Sequence, residues 1–412
     1  MDNNNHNNYK MTIPYDVIYV ISEYNDCIKD SIKLSSMNRE LYKNSNKIFL
    51  NYPTVTKKNY KTILKYNFKK FESDENMSID NLNLFYQKIN QYIVQDNIDL
   101  DTIPKNINKL MIDFMEDIDI INLKELRIAS IDLYGIGDCN IIFPSCLTNL
   151  TLGHFFNQPI NLPNNLTHLT FGHCFNQPIT LPNSLTHLIF GWRFNLPLTL
   201  PDSLTHLILG LNFNQPLTLP DSLTHLTLGN DFNQPIILPN NLTHLTFGKE
   251  FNQPITLPNS LTHLTFGYCF NQPITLPNSL THLTFGSGFN RPITLPNSLT
   301  HLTFGSSFNQ PITLPNNLTH LTFDKYSNFN QPITLPNSLS HLIFRTFSKF
   351  NQPIILPNNL KCLILGYYFN QPFILPNNLT NLTFGYNFNQ PIILPNNLTN
   401  LTFGRKFNQP II

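Results

Sequence analysis

The sequence is poor in charge. Asp, Glu, Lys and Arg make up 12% of its 412 residues and nearly cancel, leaving a formal net charge of +1. That balance gives no global attraction to nucleic acid or to an anionic membrane. Long apolar runs are also missing, and nothing approaches the ~20 residues needed to cross a bilayer. The amino terminus, MDNNNHNNYK, lacks the apolar core of a secretory signal. Cysteines are few: Cys27, Cys139, Cys146, Cys174, Cys269 and Cys362 form no CxxC pair and no zinc-like spacing. No nucleophile elbow, phosphate loop or HExxH occurs, and carboxylates are too sparse for paired acid and base work. These absences point to an intracellular, cytoplasmic protein that is not an enzyme and needs no cofactor.

What is present is repetition. A Phe recurs at Phe156, Phe175, Phe194, Phe213, Phe232, Phe251, Phe270, Phe289, Phe308, Phe329, Phe350, Phe369, Phe388 and Phe407. The spacing is 19 residues except for two steps of 21, from Phe308 to Phe329 and from Phe329 to Phe350. Counting the Phe as repeat position 1, the consensus is F-N-Q-P-I-T-L-P-N-S/N-L-T-H-L-T-F-G-x-x, with apolar residues at positions 1, 5, 7, 11, 14 and 16. The spacings 5 to 7 and 14 to 16 have the period of a strand, so two short strands per repeat are expected, I-T-L and H-L-T-F. The Pro-Asn pair at positions 8 and 9 makes a turn between them, and Gly at 17 with the F-N-Q-P segment makes a second corner. One such repeat buries too little to fold alone, and stacking supplies parallel ladders and covers both faces of each apolar layer. At a strand spacing of ~4.8 Å, Cys174 and Cys269 stand five repeats and ~24 Å apart, beyond any disulfide.

Fainter copies precede the array. Residues 103–112 (IPKNINKLMI) match L-P-N-S-L-T-H-L-T-F at every apolar position, Leu123-Lys124-Glu125-Leu126-Arg127-Ile128 is expected to repeat the strand, and residues 143–152 do so fully. The expected organisation is therefore a disordered Asn-rich tail (1–10), a helical module (11–50), a Lys-rich then acidic helical linker or cap (51–99), degenerate repeats (100–155) and the main solenoid (156–412). The linker carries Lys57, Lys58, Lys61 and Lys65 among tyrosines. It is expected to be a solvated helix facing the acidic stretch from Glu72 to Asp132, with no nucleic-acid partner, and Leu82, Phe85, Ile89 and Ile93 extend a further amphipathic helix. The sequence breaks off in mid-repeat at Ile412, which raises the expectation of self-association through an open edge.

The repeated P-I-T-L-P-N-S-L-T-H-L-T-F-G behind F-N-x-P resembles FNIP repeats, a family of social amoebae and of giant viruses of amoebae. The pattern L-x-x-L-x-F with L-P-x-x-L is similar to leucine-rich repeats, and by that analogy Asn at position 2 is expected to form a buried ladder. The implied fold is a leucine-rich-repeat-like parallel β-solenoid. Asp324 and Arg345 stand where Gly is the rule, at the two insertions, and those repeats are expected to have a loosened corner over an intact core. A viral origin would place the protein in host cytoplasm.

Ahead of the array, Thr12 and Pro14 signal a helix start, followed by Val17, Ile18, Ile21 and Tyr24 at helical spacing. Ile13-Pro14-Tyr15-Asp16-Val17-Ile18, then Ile21, Asp30, Leu34-Ser35 and Asn38-Arg39-Glu40-Leu41-Tyr42, resemble an F-box. The resemblance implies that Ile13, Pro14, Val17, Ile21 and Leu34 dock a Skp-type adaptor of a cullin-RING ubiquitin ligase. The alternative is that these helices only cap the solenoid.

Two columns of the array invite a functional reading. Histidine fills position 13 from His168 to His341, ten times, facing outward if Leu at 14 and Phe at 16 face in. Stacked copies without carboxylates argue for a ladder and against a metal site. Positions 18 and 19, by contrast, change in almost every repeat, and both insertions fall there. Their aromatic and Arg side chains are the usual anchors of interfaces, so Trp192, Arg193, Tyr268, Tyr326, Phe347, Tyr367, Tyr368 and Tyr386 are the expected target-binding residues. The function expected is a non-enzymatic adaptor that recruits ubiquitin-ligase machinery to a target protein. The alternative is an assembly scaffold with no such link.

Overall fold

A computed structural model describes residues 108–113, 120–134 and 140–410, together with the strand backbones at 54–55, 72–73 and 91–94. The expected docking residues Ile13, Pro14, Val17, Ile21 and Leu34 lie outside the described residues, as do Leu82, Phe85 and Ile89. The chain divides into two compact bodies, one of residues 1–156 with 160–166, the other of 157–159 with 167–412.

In the first body the strands are β1 (Thr54–Val55), β2 (Glu72–Ser73), β3 (Gln91–Val94), β4 (Lys109–Asp113), β5 (Ile120–Asn122), β6 (Ser130–Tyr134), β7 (Asn140–Ile142) and β8 (Asn149–Leu152). The sheet order is β3-β4-β6-β8, all parallel, with β1-β2 and β5-β7 as separate parallel pairs. Lys109 on β4 forms an ion pair with the buried Asp132 on β6, 2.5 Å apart. Two expectations need correcting here. Ile93 belongs to a strand in register with Met111, so among the described residues the parallel ladder already includes Gln91–Val94, ahead of the start expected near residue 100. Leu123–Ile128 is a turn region, closed by the Leu126 N–H donating to Leu123 O, and the strand starts only at Ser130.

The second body holds thirteen strands, β9 to β21, at His168–Thr170, His187–Ile189, His206–Ile208, His225–Thr227, His244–Thr246, His263–Thr265, His282–Thr284, His301–Phe304, His320–Phe323, His341–Phe344, Cys362–Ile364, Asn381–Thr383 and Asn400–Thr402. Each pairs in parallel with the next, and position 13 always faces position 13. Alternation then sorts the side chains: Leu at 14 is buried while 13 and 15 stay partly open, as in β13, except in the last strand, β21, where Leu401 is exposed.

The expectation of two strands per repeat fails in this body. Positions 5 to 7 run without a ladder, apart from a one-residue bridge at Ile392. The cause is proline at both 4 and 8, such as Pro254 and Pro258, which removes a donor on each side of a three-residue segment. The paired β5 and β7 of the first body support this reading, because β7 has Asn140 in place of the first proline and does form a ladder.

The core is a stack of identical layers. Leu261 at position 11, Leu264 at 14 and Phe266 at 16 are buried, and Phe266 lies 3.8 Å from Phe270 of the next repeat, ring centroid to centroid. The position-1 rings stack on one another at 6.0 to 6.4 Å along the array. Asn at position 2 forms the expected ladder, each backbone N–H donating to Oδ1 of the preceding Asn, from Asn176 on Asn157 (2.8 Å) to Asn408 on Asn389 (2.8 Å). The ladder is half-exposed rather than buried, because the following Gln and Pro carry it along the edge of the layer.

Candidate functional site

The second corner is itself a ladder. The N–H at position 19 donates to the carbonyl at position 18 of the preceding repeat: Arg193 to His173 O (2.9 Å), Cys269 to Lys249 O (2.8 Å), Asn387 to Tyr367 O (3.0 Å), Lys406 to Tyr386 O (3.1 Å). Glycine at 17 allows these corners to nest. A Cβ on Gly267 would stand 1.8 Å from Gly248 O. The most variable side chains of the chain therefore hang from one of its most regular backbones, an arrangement that fixes their spacing whatever they are.

The insertions rebuild this corner without loosening it. In ordinary repeats the Phe N–H closes a turn on Gly O, as Phe232 does on Gly229 (3.3 Å). In the longer repeats Ser takes that role: Ser327 N–H donates to Asp324 O (3.1 Å) and Ser348 N–H to Arg345 O (3.0 Å). Both serines are fully buried, and their hydroxyls accept the displaced N–H groups of Phe329 (3.2 Å) and Phe350 (3.4 Å). The third residue of each turn is Tyr326 (φ 63°) or Phe347 (φ 62°), the two non-glycine residues with positive φ among those described. Gly or Asn is usual there, and a bulky side chain costs of order 1–3 kcal/mol. The expected loosening is thus corrected, because the extra residues bring their own hydrogen bonds. Its sequence signal is the shared spelling aromatic-Ser-x-Phe, Tyr326-Ser327-Asn328-Phe329 and Phe347-Ser348-Lys349-Phe350.

The strained rings begin a continuous column. Tyr326 and Phe347 stack at 5.2 Å with planes 4° apart, Phe347 and Tyr367 lie at 5.4 Å, and Tyr367 and Tyr386 stack at 4.6 Å. Tyr368 meets Tyr367 edge-on at 4.9 Å. Lys325 Nζ stands 5.0 Å from the Tyr326 ring centre and Lys406 Nζ 5.7 Å from that of Tyr386, so a cation flanks each end. Five of the eight expected target-binding residues are therefore brought together. Tyr268 is exposed on the same corner three rungs, ~14 Å, before Tyr326, and Trp192, packed against His173 at 4.4 Å, stands four rungs further away with Arg193. The two lysines were not among the expected residues, although their place beside variable aromatics was visible in the sequence.

The histidine column faces outward, as expected. Neighbouring rings from His168 to His341 stack at 4.1 to 4.2 Å. Each Nδ1 lies 2.8 to 2.9 Å from the hydroxyl at position 12, as with His225 and Thr224. That hydroxyl has one hydrogen, and it is given to the carbonyl of the preceding repeat, Thr224 Oγ1 to Thr205 O at 3.1 Å. The ring proton is therefore assigned to Nδ1, which donates to Thr, and Nε2 keeps its lone pair. Asn400, replacing His, does the same through Nδ2 to Thr399 Oγ1 (3.3 Å). Burial first, and the charges of neighbouring imidazoles second, lower the pKa of His187, His225, His244 and His282, and bring that of His320 to about 4. Stacked rings hold their Nε2 lone pairs parallel rather than converging. Among the described residues no group of three or more His, Cys, Asp or Glu could hold a metal ion. The Cys269 thiol donates to Glu250 (3.3 Å), and burial and that bond push its pKa up, away from nucleophilic use.

The architecture is that of a leucine-rich-repeat-like parallel solenoid, one strand per 19-residue turn. The chain belongs to the FNIP repeat family: the FNIP Repeat matches successive segments from 140–174 and 175–212 to 370–393 and 388–412. Among solved structures it is similar to one described as "CroV588 a novel circular LRR protein", with 39% identity and a TM-score of 0.61. The match covers 84% of this chain and 66% of that one, so the chain spans just under two thirds of that protein's length. YopM from Yersinia enterocolitica WA-314 shares the fold at 19% identity and a TM-score of 0.50, over 76% of this chain and 84% of that one. No curated protein matches the chain.

Proposed function

We propose that the protein is a non-enzymatic interaction adaptor that holds a target protein on the variable corner of its solenoid. The observation that carries this reading is the aromatic column from Tyr326 to Tyr386, built on hydrogen-bonded backbone and begun by two residues in strained conformations. Strain kept in aromatic residues that the core does not use, Tyr326 exposed and Phe347 half-buried, is characteristic of places where a side chain must be presented. Leucine-rich-repeat-like solenoids offer such extended surfaces for partners. In this reading residues 11–50 dock a Skp-type adaptor of a cullin-RING ligase in the cytoplasm through Ile13, Pro14, Val17, Ile21 and Leu34, on the strength of their F-box resemblance. The target would then be presented for ubiquitination. An assembly scaffold with no ligase link would use the same corner.

Pull-down of the intact protein with a recombinant Skp-type adaptor separates the two. Retention that is lost in Pro14→Glu/Val17→Glu supports the adaptor. No retention of the intact chain leaves only the scaffold.

A further inference from the structure

The chain's near-neutral charge conceals a strong local imbalance. From Asp324 to Lys406 there are six basic side chains, Lys325, Arg345, Lys349, Lys361, Arg405 and Lys406, against the single acid Asp324. All but Lys361 lie on the same corner as the aromatic column, and all six are exposed. Asp324 is itself engaged by Arg345, Oδ1 to Nε 3.8 Å. In the preceding stretch, 140–323, four acids outnumber three bases. The basic cluster thus coincides with the aromatic column and is not a general property of the array.

The rings restrict what can bind beside those cations. Aromatic faces are where nucleic-acid bases stack. Here the faces are occupied by one another, with Tyr326 on Phe347 and Tyr367 on Tyr386 within 7° of parallel, so the column offers edges to a partner. A ring edge carries the positive side of the quadrupole, and an adjacent carboxylate is attracted to it. Edges and ammonium or guanidinium groups therefore ask for the same ligand. The three centroid steps of 5.2, 5.4 and 4.6 Å run ~15 Å along the corner, the length of four or five residues of extended peptide at ~3.3 Å each.

We propose that the corner from Asp324 to Lys406 binds an acidic, extended peptide segment of a partner protein, its carboxylates on Lys325, Lys349, Arg405 and Lys406 and its apolar side chains along the edges of Tyr326, Phe347, Tyr367 and Tyr386. This rests on the interaction reading above and adds the chemistry of the partner. A fixed backbone ladder under the rings means that little ordering is needed on binding.

The test is selection from a random peptide library displayed on phage, with the full-length protein as bait and the quadruple variant Lys325→Glu/Lys349→Glu/Arg405→Glu/Lys406→Glu as a parallel bait. All four side chains are exposed, and circular dichroism checks that the variant folds. The expected result is enrichment of Asp- and Glu-rich peptides containing apolar residues on the wild type and their loss on the variant. For a synthetic, fluorescein-labelled winner, affinity should fall at least ~10-fold in the variant and in Tyr367→Ala, and should weaken as salt is raised. Enriched peptides with no acidic bias but dependence on Tyr367 would overturn the acidic partner and leave the interaction reading standing. Enrichment of nothing, or of peptides indifferent to both changes, would sink both. A labelled oligo-dT bound more tightly than the winning peptide would assign the corner to single-stranded nucleic acid instead.

Discussion

Tyr326 and Phe347 lie face to face, 5.2 Å between ring centroids and 4° from parallel, and both hold a positive φ that bulky residues rarely adopt. Neither ring is needed by the core, which is filled by Phe329 and Phe350 just beyond. Presentation and stability should therefore separate. Tyr326→Gly and Phe347→Gly each relieve the left-handed strain, of order 1–3 kcal/mol, against a glycine entropy cost of roughly 0.5–1 kcal/mol. The thermal midpoint should hold or rise while peptide binding is lost. Tyr386→Gly, with no positive φ to relieve, should lose binding and lower the midpoint. A clear loss of stability in Phe347→Gly would show that its ring is structural.

Glycine at position 17 makes the opposite case. The Cβ of Gly267→Ala would come within 1.8 Å of Gly248 O, a backbone atom that cannot swing away. The array tolerates Asp324 and Arg345 at the corresponding place only where two extra residues re-route the corner. Gly267→Ala should destabilise by about 3 kcal/mol, the upper end for overpacking. Hydrogen exchange should locate the damage at the corners of the neighbouring repeats.

The asparagine ladder predicts a graded pair. Asn271 Oδ1 accepts the Asn290 N–H at 3.0 Å, and Asn271→Ala removes that acceptor. The expected cost is about 1 kcal/mol, because the half-exposed edge lets water replace part of the bond. Asn271→Asp keeps an oxygen in place and should restore most of the loss in urea unfolding. Equal costs for the two would point to packing rather than to the hydrogen bond.

Most of the solenoid was legible because one pattern recurs without interruption. The Leu and Phe columns of Leu261, Leu264, Phe266 and Phe270 gave the strand, its inward face and its register. The absent second strand was also foreseeable in principle: Pro254 and Pro258 deny donors to the segment between them, and the strand period at positions 5 and 7 masked that veto. The candidate site was legible only as a list of variable residues. That Tyr326, Phe347, Tyr367 and Tyr386 form one column while Trp192 stands apart depends on stacking order, which a repeat alignment supplies. The left-handed turns depend on a balance between Ser327 and Ser348 hydrogen bonds and ring strain, which a residue pattern does not express.

The histidine ladder predicts a sign and a window of pH. Burial first, and the charges of other imidazoles in the column second, lower the folded-state pKa values of His187, His206, His225, His244, His282, His301 and His320, the last to about 4. The unfolded chain, at ~6.5, then binds protons more readily than the folded one. Stability from these groups is complete above pH ~6.5 and is lost as pH falls from there toward 4. Asparagine occupies the same column at Asn381 and Asn400 and stays hydrogen-bonded to the adjacent Thr hydroxyl, Asn400 Nδ2 donating to Thr399 Oγ1 and Asn381 Oδ1 accepting from Thr380 Oγ1, so it is the conservative replacement. The triple variant His282→Asn/His301→Asn/His320→Asn should therefore fold normally at pH 8 and show a shallower fall in thermal midpoint between pH 6.5 and 4.5. A fall as steep as in the wild type would assign the acid sensitivity to groups outside the ladder.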